Sequence, residues 1–246
     1  MLELVLVGIG TGNPDHLTLQ AIKALNSADL IMIPRKGADK ADLADLRQQI
    51  CAAVVTNPAT RIAEFDLPAR DAGIADYVMR VEDWHDTIAA VWTRTIASHA
   101  GIRRVALLVW GDPSLYDSTL RIAARLMPAP LITVIPGITS IQVLTAAHGI
   151  AVNDIGAAFV VTTGRRLRDG GWPVGVDTVV VMLDGECSFA TIAPEGVFIW
   201  WAAYVGMPNQ RVISGPLADV SAQIVATRAV ARAEHGWIMD IYLLRR

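Results

Sequence analysis

Val105-Ala-Leu-Leu-Val-Trp-Gly-Asp-Pro-Ser-Leu-Tyr-Asp-Ser-Thr-Leu-Arg-Ile122 decides the fold. Val105 to Val109 is an apolar run of the kind that marks a strand covered on both faces, and it stops abruptly at Trp110-Gly111-Asp112-Pro113. Open parallel sheets bind small molecules just past the carboxyl ends of their strands, and Gly111 lets a ligand approach the backbone there. Asp112 is then the side chain that meets the ligand. Gly, Asp and Pro also favour an ordinary turn, so Gly-Asp-Pro alone reads more readily as a turn than as a site. The surrounding segments reverse that balance.

The opening, Leu2-Glu-Leu-Val-Leu-Val-Gly-Ile-Gly-Thr-Gly-Asn-Pro-Asp-His-Leu-Thr18, reads as a strand, a glycine loop and the start of a helix. It is not a dinucleotide fingerprint. After Gly8 and Gly10 the third glycine belongs at position 13, which is Asn13, and Gly12 and Pro14 reshape the turn. The next strand, Ala28 to Ile33, ends in Pro34-Arg35 with no acid to grip a ribose. A glycine-rich phosphate loop ending in Gly-Lys-Ser/Thr is also missing from the sequence. NAD and ATP are therefore poor fits.

At 246 residues the chain has room for one large domain or two of ordinary size. It is 53% hydrophobic, yet no apolar run reaches the ~20 residues of a membrane span. The surplus of Ala and Val belongs in buried parallel strands. The first residues lack the basic segment and cleavage site of a secretory leader, which points to a cytosolic enzyme. Cys51 and Cys187 have no metal-ligand spacing and read as reduced, packed thiols, so no metal is expected. A formal charge of −3 speaks against a nucleic-acid partner. The cations are nonetheless uneven. Arg35-Lys36 with Lys40, and Arg165-Arg166 with Arg168, each follow a predicted strand, a placement suited to gripping a small molecule rich in carboxylates.

Strand and helix patterns alternate as parallel sheets with helical crossovers require. Strands are predicted near Glu3 to Val7, Leu30 to Ile33, Arg61 to Phe65, Val105 to Val109 and Ile132 to Ile135. Helices are predicted over Thr18 to Ser27, with Thr18 as cap, Ala41 to Val54 and Ile74 to Ala97. Pro136-Gly137-Ile-Thr139-Ser140 is a tight turn whose hydroxyls can cap a helix reaching His148. After Gly149 the pattern restarts, with strands at Ala157 to Thr163, Thr178 to Leu183, Val197 to Tyr204, Gln210 to Ser214 and Trp237 to Leu244. The expected fold is α/β, in two domains with a cleft between them: residues 1–149 with a parallel sheet and residues 150–246 with a mixed one.

Four of these segments, in order, resemble the tetrapyrrole methylase family along essentially the whole chain. Val7-Gly-Ile-Gly-Thr-Gly-Asn-Pro-Asp-His-Leu-Thr18 is similar to the family's first loop, with Thr11 in place of a proline and Asn13 in place of an aspartate. Ala28-Asp29-Leu30 matches its second strand, Gly111-Asp112-Pro113 its central motif and Ile135-Pro-Gly-Ile-Thr-Ser140 its fifth-strand turn. The resemblance narrows to one branch through Arg35-Lys36-Gly37, Trp84-His85, Val109 to Arg121, Thr162 to Arg166 and Val180 to Gly185.

That resemblance implies an S-adenosyl-L-methionine-dependent enzyme, releasing S-adenosyl-L-homocysteine, that methylates C1 of precorrin-5 with loss of acetate in cobalamin synthesis. It also implies a cytoplasmic homodimer, which apolar helix faces and the Trp200-Trp201 pair would suit, although that pair reads better as core strand. Carried over position by position, cofactor contacts fall on Thr11, Trp110, Gly111, Asp112, Leu115, Thr139, Ser140, Leu183 and the segment Tyr204 to Gly206, centred on Val205. Arg35, Lys36, Arg121, Arg165 and Arg166 are candidates for the substrate's carboxylates. Any one of them may equally pair with a neighbouring acid of the chain itself. Methyl transfer itself needs positioning, whereas acetyl loss wants a base or a carbonyl-polarising donor. Tyr116 is the first candidate, ahead of Asp15, His16 and His85, and each has a purely structural alternative. Readings of another class are a sibling corrin-ring methylase, a methylase of a macromolecule and a protein that only binds the cofactor or a tetrapyrrole.

Overall fold

The computed structural model describes residues 1–35 and 41–246. They divide into two compact units, Met1–Thr139 and Ser140–Arg246. The first holds five parallel strands, β1 (Glu3–Gly8), β2 (Leu30–Arg35), β3 (Arg61–Asp66), β4 (Arg104–Val109) and β5 (Leu131–Ile135), in the order β3-β2-β4-β1-β5. The apolar runs of β1, β2 and β4 are continuous because successive side chains enter two different cores. Val5, Val7, Ile31, Ile33, Ala106 and Leu108 face helices α1 (Leu19–Asn26) and α2 (Ala41–Val54). Leu4, Leu6, Leu30, Met32, Leu107 and Val109 face α3 (Tyr77–Ala97) and α4 (Thr119–Ala123).

Side-chain caps set the helix starts. Thr18 accepts from the backbone N–H of Ala21 at 3.0 Å, as the sequence predicts. Asp76 accepts from that of Met79 at 2.8 Å, which starts α3 at Tyr77 rather than at Ile74. Asp29 accepts from the N–H groups of Arg103 and Arg104, both at 2.8 Å, tying the entry of β2 to that of β4. Those two donors hold its carboxyl below the usual range.

The second unit comprises α5 (Ser140–His148), β6 (Phe159–Thr163), α6 (Gly164–Gly170), β7 (Thr178–Met182), β8 (Phe198–Ala203), β9 (Arg211–Pro216), α7 (Leu217–His235) and β10 (Asp240–Arg245). The sheet order is β6-β7-β10-β8-β9. β6 and β7 are parallel, while β10 is antiparallel to both β7 and β8, so β6, β7 and β8 end at the same edge. α5 packs on β8, β9 and β10. Its Ile141, Val143 and Leu144 are buried, and His148 Nε2 lies 3.1 Å from the Trp201 carbonyl. The helix therefore goes with the second unit, ten residues earlier than the expected division after Gly149. Trp201 is fully buried and Trp200 is half-buried beneath the Arg245 guanidinium, so this pair is part of the sheet, as the core-strand reading expects. Among the described residues no helix is long and apolar enough to cross a membrane.

His85 is buried in α3, and both its ring nitrogens lack a hydrogen-bond partner among the described residues. Burial, then the charge of Arg125, holds its pKa below the ordinary 6.5. A depressed folded-state pKa means that the neutral ring stabilises the fold above pH 6.5, and that this contribution drains away as pH falls below it. His85→Phe is expected to shrink the difference in unfolding free energy between pH 7.5 and pH 5.5, measured by urea denaturation. A difference equal to that of the parent protein would rule out His85 as its source.

Candidate functional site

The carboxyl ends of β1, β4 and β5 meet at a junction that only glycine backbone fits. A Cβ on Gly137 would overlap the Gly111 carbonyl oxygen and lie 2.8 Å from Gly8 Cα; one on Gly8 would lie 2.6 Å from the Gly137 nitrogen. Gly10 and Gly111 form an isolated antiparallel bridge, the Gly111 N–H donating to the Gly10 carbonyl at 2.7 Å. Both adopt positive φ, +72° and +61°, which glycine takes without penalty.

Asp112 braces this junction. Its Oδ2 accepts from the Gly137 N–H at 2.9 Å, and its Oδ1 accepts from the N–H and hydroxyl of Ser114 at 2.8 and 2.5 Å. Burial pushes the carboxyl up, but these three donors outweigh it and the pKa is lowered. Both oxygens are thus engaged within the loops, so the side chain that the sequence aims at a ligand works first as a brace. What the loops offer a ligand is main chain.

Trp110, half-buried, packs against the core that faces α1 and α2. Its Nε1 is buried without a hydrogen-bond partner among the described residues. The Arg47 guanidinium lies 4.8 Å from the ring centroid, with Nε donating to the Leu108 carbonyl at 3.2 Å and a terminal nitrogen to the Leu43 carbonyl at 3.1 Å. Burial lowers the Arg47 pKa to about 10, with Asp117 opposing. Sequence reasoning missed this residue. The available signal was a charge in the buried stripe of α2, between Ala44 and Ile50.

In the first loop Thr11 is buried and its hydroxyl is 3.2 Å from His16 Nδ1, while Asn13 caps the turn by accepting from Asp15 N–H at 3.0 Å. Asp15 and His16 thereby shape the loop. Leu115 closes the turn after β4, its N–H donating to the Asp112 carbonyl at 3.2 Å. Tyr116 follows at φ +50° with 45% of its surface exposed. Thr139 stands beside Gly111, its Cα 3.7 Å from where a Cβ on that glycine would sit. Thr11, Trp110, Gly111, Asp112, Leu115, Tyr116 and Thr139 therefore share one sheet edge. Ser140 opens α5 in the second unit.

The second unit presents its own edge. Leu183 follows β7 at φ +54° and is 66% exposed, and Tyr204 follows β8 at φ +51°, with Val205 buried beside it. Non-glycine residues rarely hold such angles, and sites of function are where they concentrate. Arg165 and Arg166 stand exposed in the first turn of α6, after β6. The other candidate cations lie in the first unit. Arg35 pairs with Glu64 at 2.6 Å, Arg121 donates to the Asp117 carbonyl at 3.0 Å, and Lys36 lies outside the described residues. Among the described residues no group of three or more His, Cys, Asp or Glu is placed to hold a metal ion.

The sequence profile of the Tetrapyrrole (Corrin/Porphyrin) Methylases matches residues 3–221. The precorrin-6A synthase (deacetylating) of Sinorhizobium sp is 47% identical over 251 residues, covering 100% of this chain and 96% of the relative. A cobalamin-synthesis-related protein (CobF) of Corynebacterium diphtheriae superposes with a TM-score of 0.84 at 40% identity, over 100% of this chain and 99% of its own. A Thermus thermophilus uroporphyrin-III C-methyltransferase, solved with S-adenosylhomocysteine, superposes at 0.63 with 20% identity over 99% and 97%, a likeness of fold.

Gly137→Ala is expected to destabilise the protein by about 2 to 3 kcal/mol, because the new methyl meets backbone that cannot yield. Gly170→Ala, with nothing within 4 Å of its Cβ, serves as control and should stay within about 0.5 kcal/mol of the parent. Urea melts of the two variants make the comparison, and equal losses would refute the junction as a steric constraint.

Proposed function

This chain belongs to the tetrapyrrole (corrin/porphyrin) methylases, and on that footing we propose that it methylates C1 of precorrin-5 from S-adenosyl-L-methionine with loss of acetate, forming precorrin-6A. The observation that carries the reading is identity of 47% along the entire chain with a precorrin-6A synthase (deacetylating). The reading extends to a homodimer in the cytosol.

When bound, S-adenosylmethionine supplies an electrophilic sulfonium methyl. The residues proposed to hold it fit on one structural ground: Trp110, whose buried Nε1 lacks a hydrogen-bond partner among the described residues, leads directly into the Gly111 loop. Gly111, Leu115 and Thr139 are proposed contacts through main chain and hydroxyl, with Thr11 shaping the first loop, and Ser140, Leu183 and Val205 as contacts from the second unit. Asp112 keeps these loops in register from within, and its lowered pKa keeps the brace ionised at neutral pH. The chain's task in methyl transfer is to hold the nucleophilic ring carbon ~3 to 3.5 Å from the methyl, in line with the leaving sulfur.

Acetyl loss needs water to attack the acetyl carbonyl while the ring takes up the electron pair of the broken carbon–carbon bond. Tyr116 is proposed to donate its phenol proton in a hydrogen bond to that carbonyl oxygen. Its exposure and its left-handed backbone support this role. Arg165 and Arg166, exposed in the first turn of α6, remain proposed binders of substrate carboxylates; Arg35 pairs with Glu64.

The deciding assay adds the protein and S-adenosylmethionine to precorrin-5 generated in situ, and follows acetate together with the mass of the tetrapyrrole. Acetate released in step with one methyl gain is expected. Methyl gain without acetate would move the chain to a sibling corrin methylase, and neither change would leave only the family fold. In the same assay Tyr116→Phe is expected to slow acetate release about 100-fold, with S-adenosylhomocysteine affinity retained in calorimetry. A rate equal to the parent's would remove Tyr116 from the mechanism.

A further inference from the structure

Arg70 lies in the segment that follows β3, at the same carboxyl edge of the first sheet as Trp110 to Pro113, because all five strands are parallel. The segment begins by hydrogen bonding to the neighbouring strand, Leu67 N–H donating to the Arg35 carbonyl at 2.8 Å. It is pinned again by Trp84 of α3, whose Nε1 donates to the Pro68 carbonyl at 2.7 Å. Two residues on, the Arg70 guanidinium lies 4.4 Å from the centroid of that same indole. One side chain thus anchors the backbone and carries the cation.

Arg70 is exposed, and this stack is its one contact among the described residues: no hydrogen bond or ion pair engages it. The adjacent acid does not serve it, since Asp71 Oδ1 accepts from the Gly73 N–H at 2.7 Å. Three arginines of this unit contrast with it. Arg35 holds Glu64, Arg125 holds Glu82 and Asp86, and Arg61 donates to the Ala100 carbonyl. A guanidinium laid against an indole has lost much of its rotational freedom while keeping its N–H fork, which is the form that binds a carboxylate with both oxygens. The first turn of α3 then adds exposed Tyr77, Val78 and Met79. A cation beside an apolar strip suits a flat apolar ring edged with carboxylates.

We propose that Arg70, held on Trp84, is a carboxylate-binding residue for the polycarboxylate tetrapyrrole substrate. The assignment rests on the reading of the chain as a corrin-precursor methylase and adds to it a binding residue at the β3 end of the sheet edge. The test uses uroporphyrin III, a stable octacarboxylate, as the probe, titrated by its fluorescence against the full-length protein in the presence of S-adenosylhomocysteine. Arg70→Gln is expected to raise its Kd about tenfold, the loss of one charge-assisted contact. Arg70→Lys should fall between, keeping the charge but not the fork. S-adenosylhomocysteine affinity should stay within twofold in both, which also reports that they are folded. Porphyrin binding equal in parent and Arg70→Gln, or absent from both, overturns the proposal. A parent protein that fails to methylate precorrin-5 but binds the porphyrin in an Arg70-dependent way would instead overturn the substrate reading and leave the carboxylate contact in place.

Discussion

Main-chain contact among Gly8, Gly111 and Gly137 is the constraint on which the loop edge of the first unit depends. Three strands that are far apart in sequence deliver their loops to one point, and no Cβ fits between them. Parallel strands make this possible because β1, β4 and β5 all end on the same side. The carboxylate of Asp112 then locks the β4 loop to the β5 loop through the Gly137 N–H. Remove the close approach and Asp112 has nothing to reach.

The second unit solves the same problem with a different acid. Asp184, just past β7, is buried and accepts from Ser188 N–H at 2.6 Å, Tyr242 hydroxyl at 2.7 Å, Ser188 hydroxyl at 2.9 Å and Glu186 N–H at 3.1 Å. Gly164 leaves room for it, because a Cβ there would overlap the carboxylate. From α7, Arg228 donates to the Asp184 carbonyl and to Asp240, both at 2.9 Å, and Asp240 also accepts from Trp201 Nε1 at 3.0 Å. A buried carboxylate is costly unless its oxygens are satisfied, and both oxygens of Asp184 are. The result is a rigid turn that holds Leu183 outward in a left-handed conformation.

The sheet of the first unit was legible because burial on both faces leaves an unbroken apolar run, and Val105 to Val109 is one. α4, at five residues, is too short to show a helical period, and α7 hid because Arg228 stands where its buried stripe calls for an apolar residue. The division between units was misread because Pro136-Gly137 looks like an internal turn, and only packing on β8 to β10 reveals where α5 belongs. Gly111 and Asp112 could be found from their motif. The partners of Asp112, the indole stack of Arg47 and the pairing of Arg35 with Glu64 could not, since each joins residues set by tertiary folding rather than by spacing.

A loop edge made of peptide groups is indifferent to most side-chain replacements around it. Thr11 and Asn13, which depart from the usual residues of the first loop, sit inside that loop and serve its own hydrogen bonds. Such an edge can keep its backbone geometry through long sequence drift while the side chains farther along it, on the β3 flank, change freely. One scaffold of this kind can be refitted to many ring substrates without rebuilding the part that does not vary.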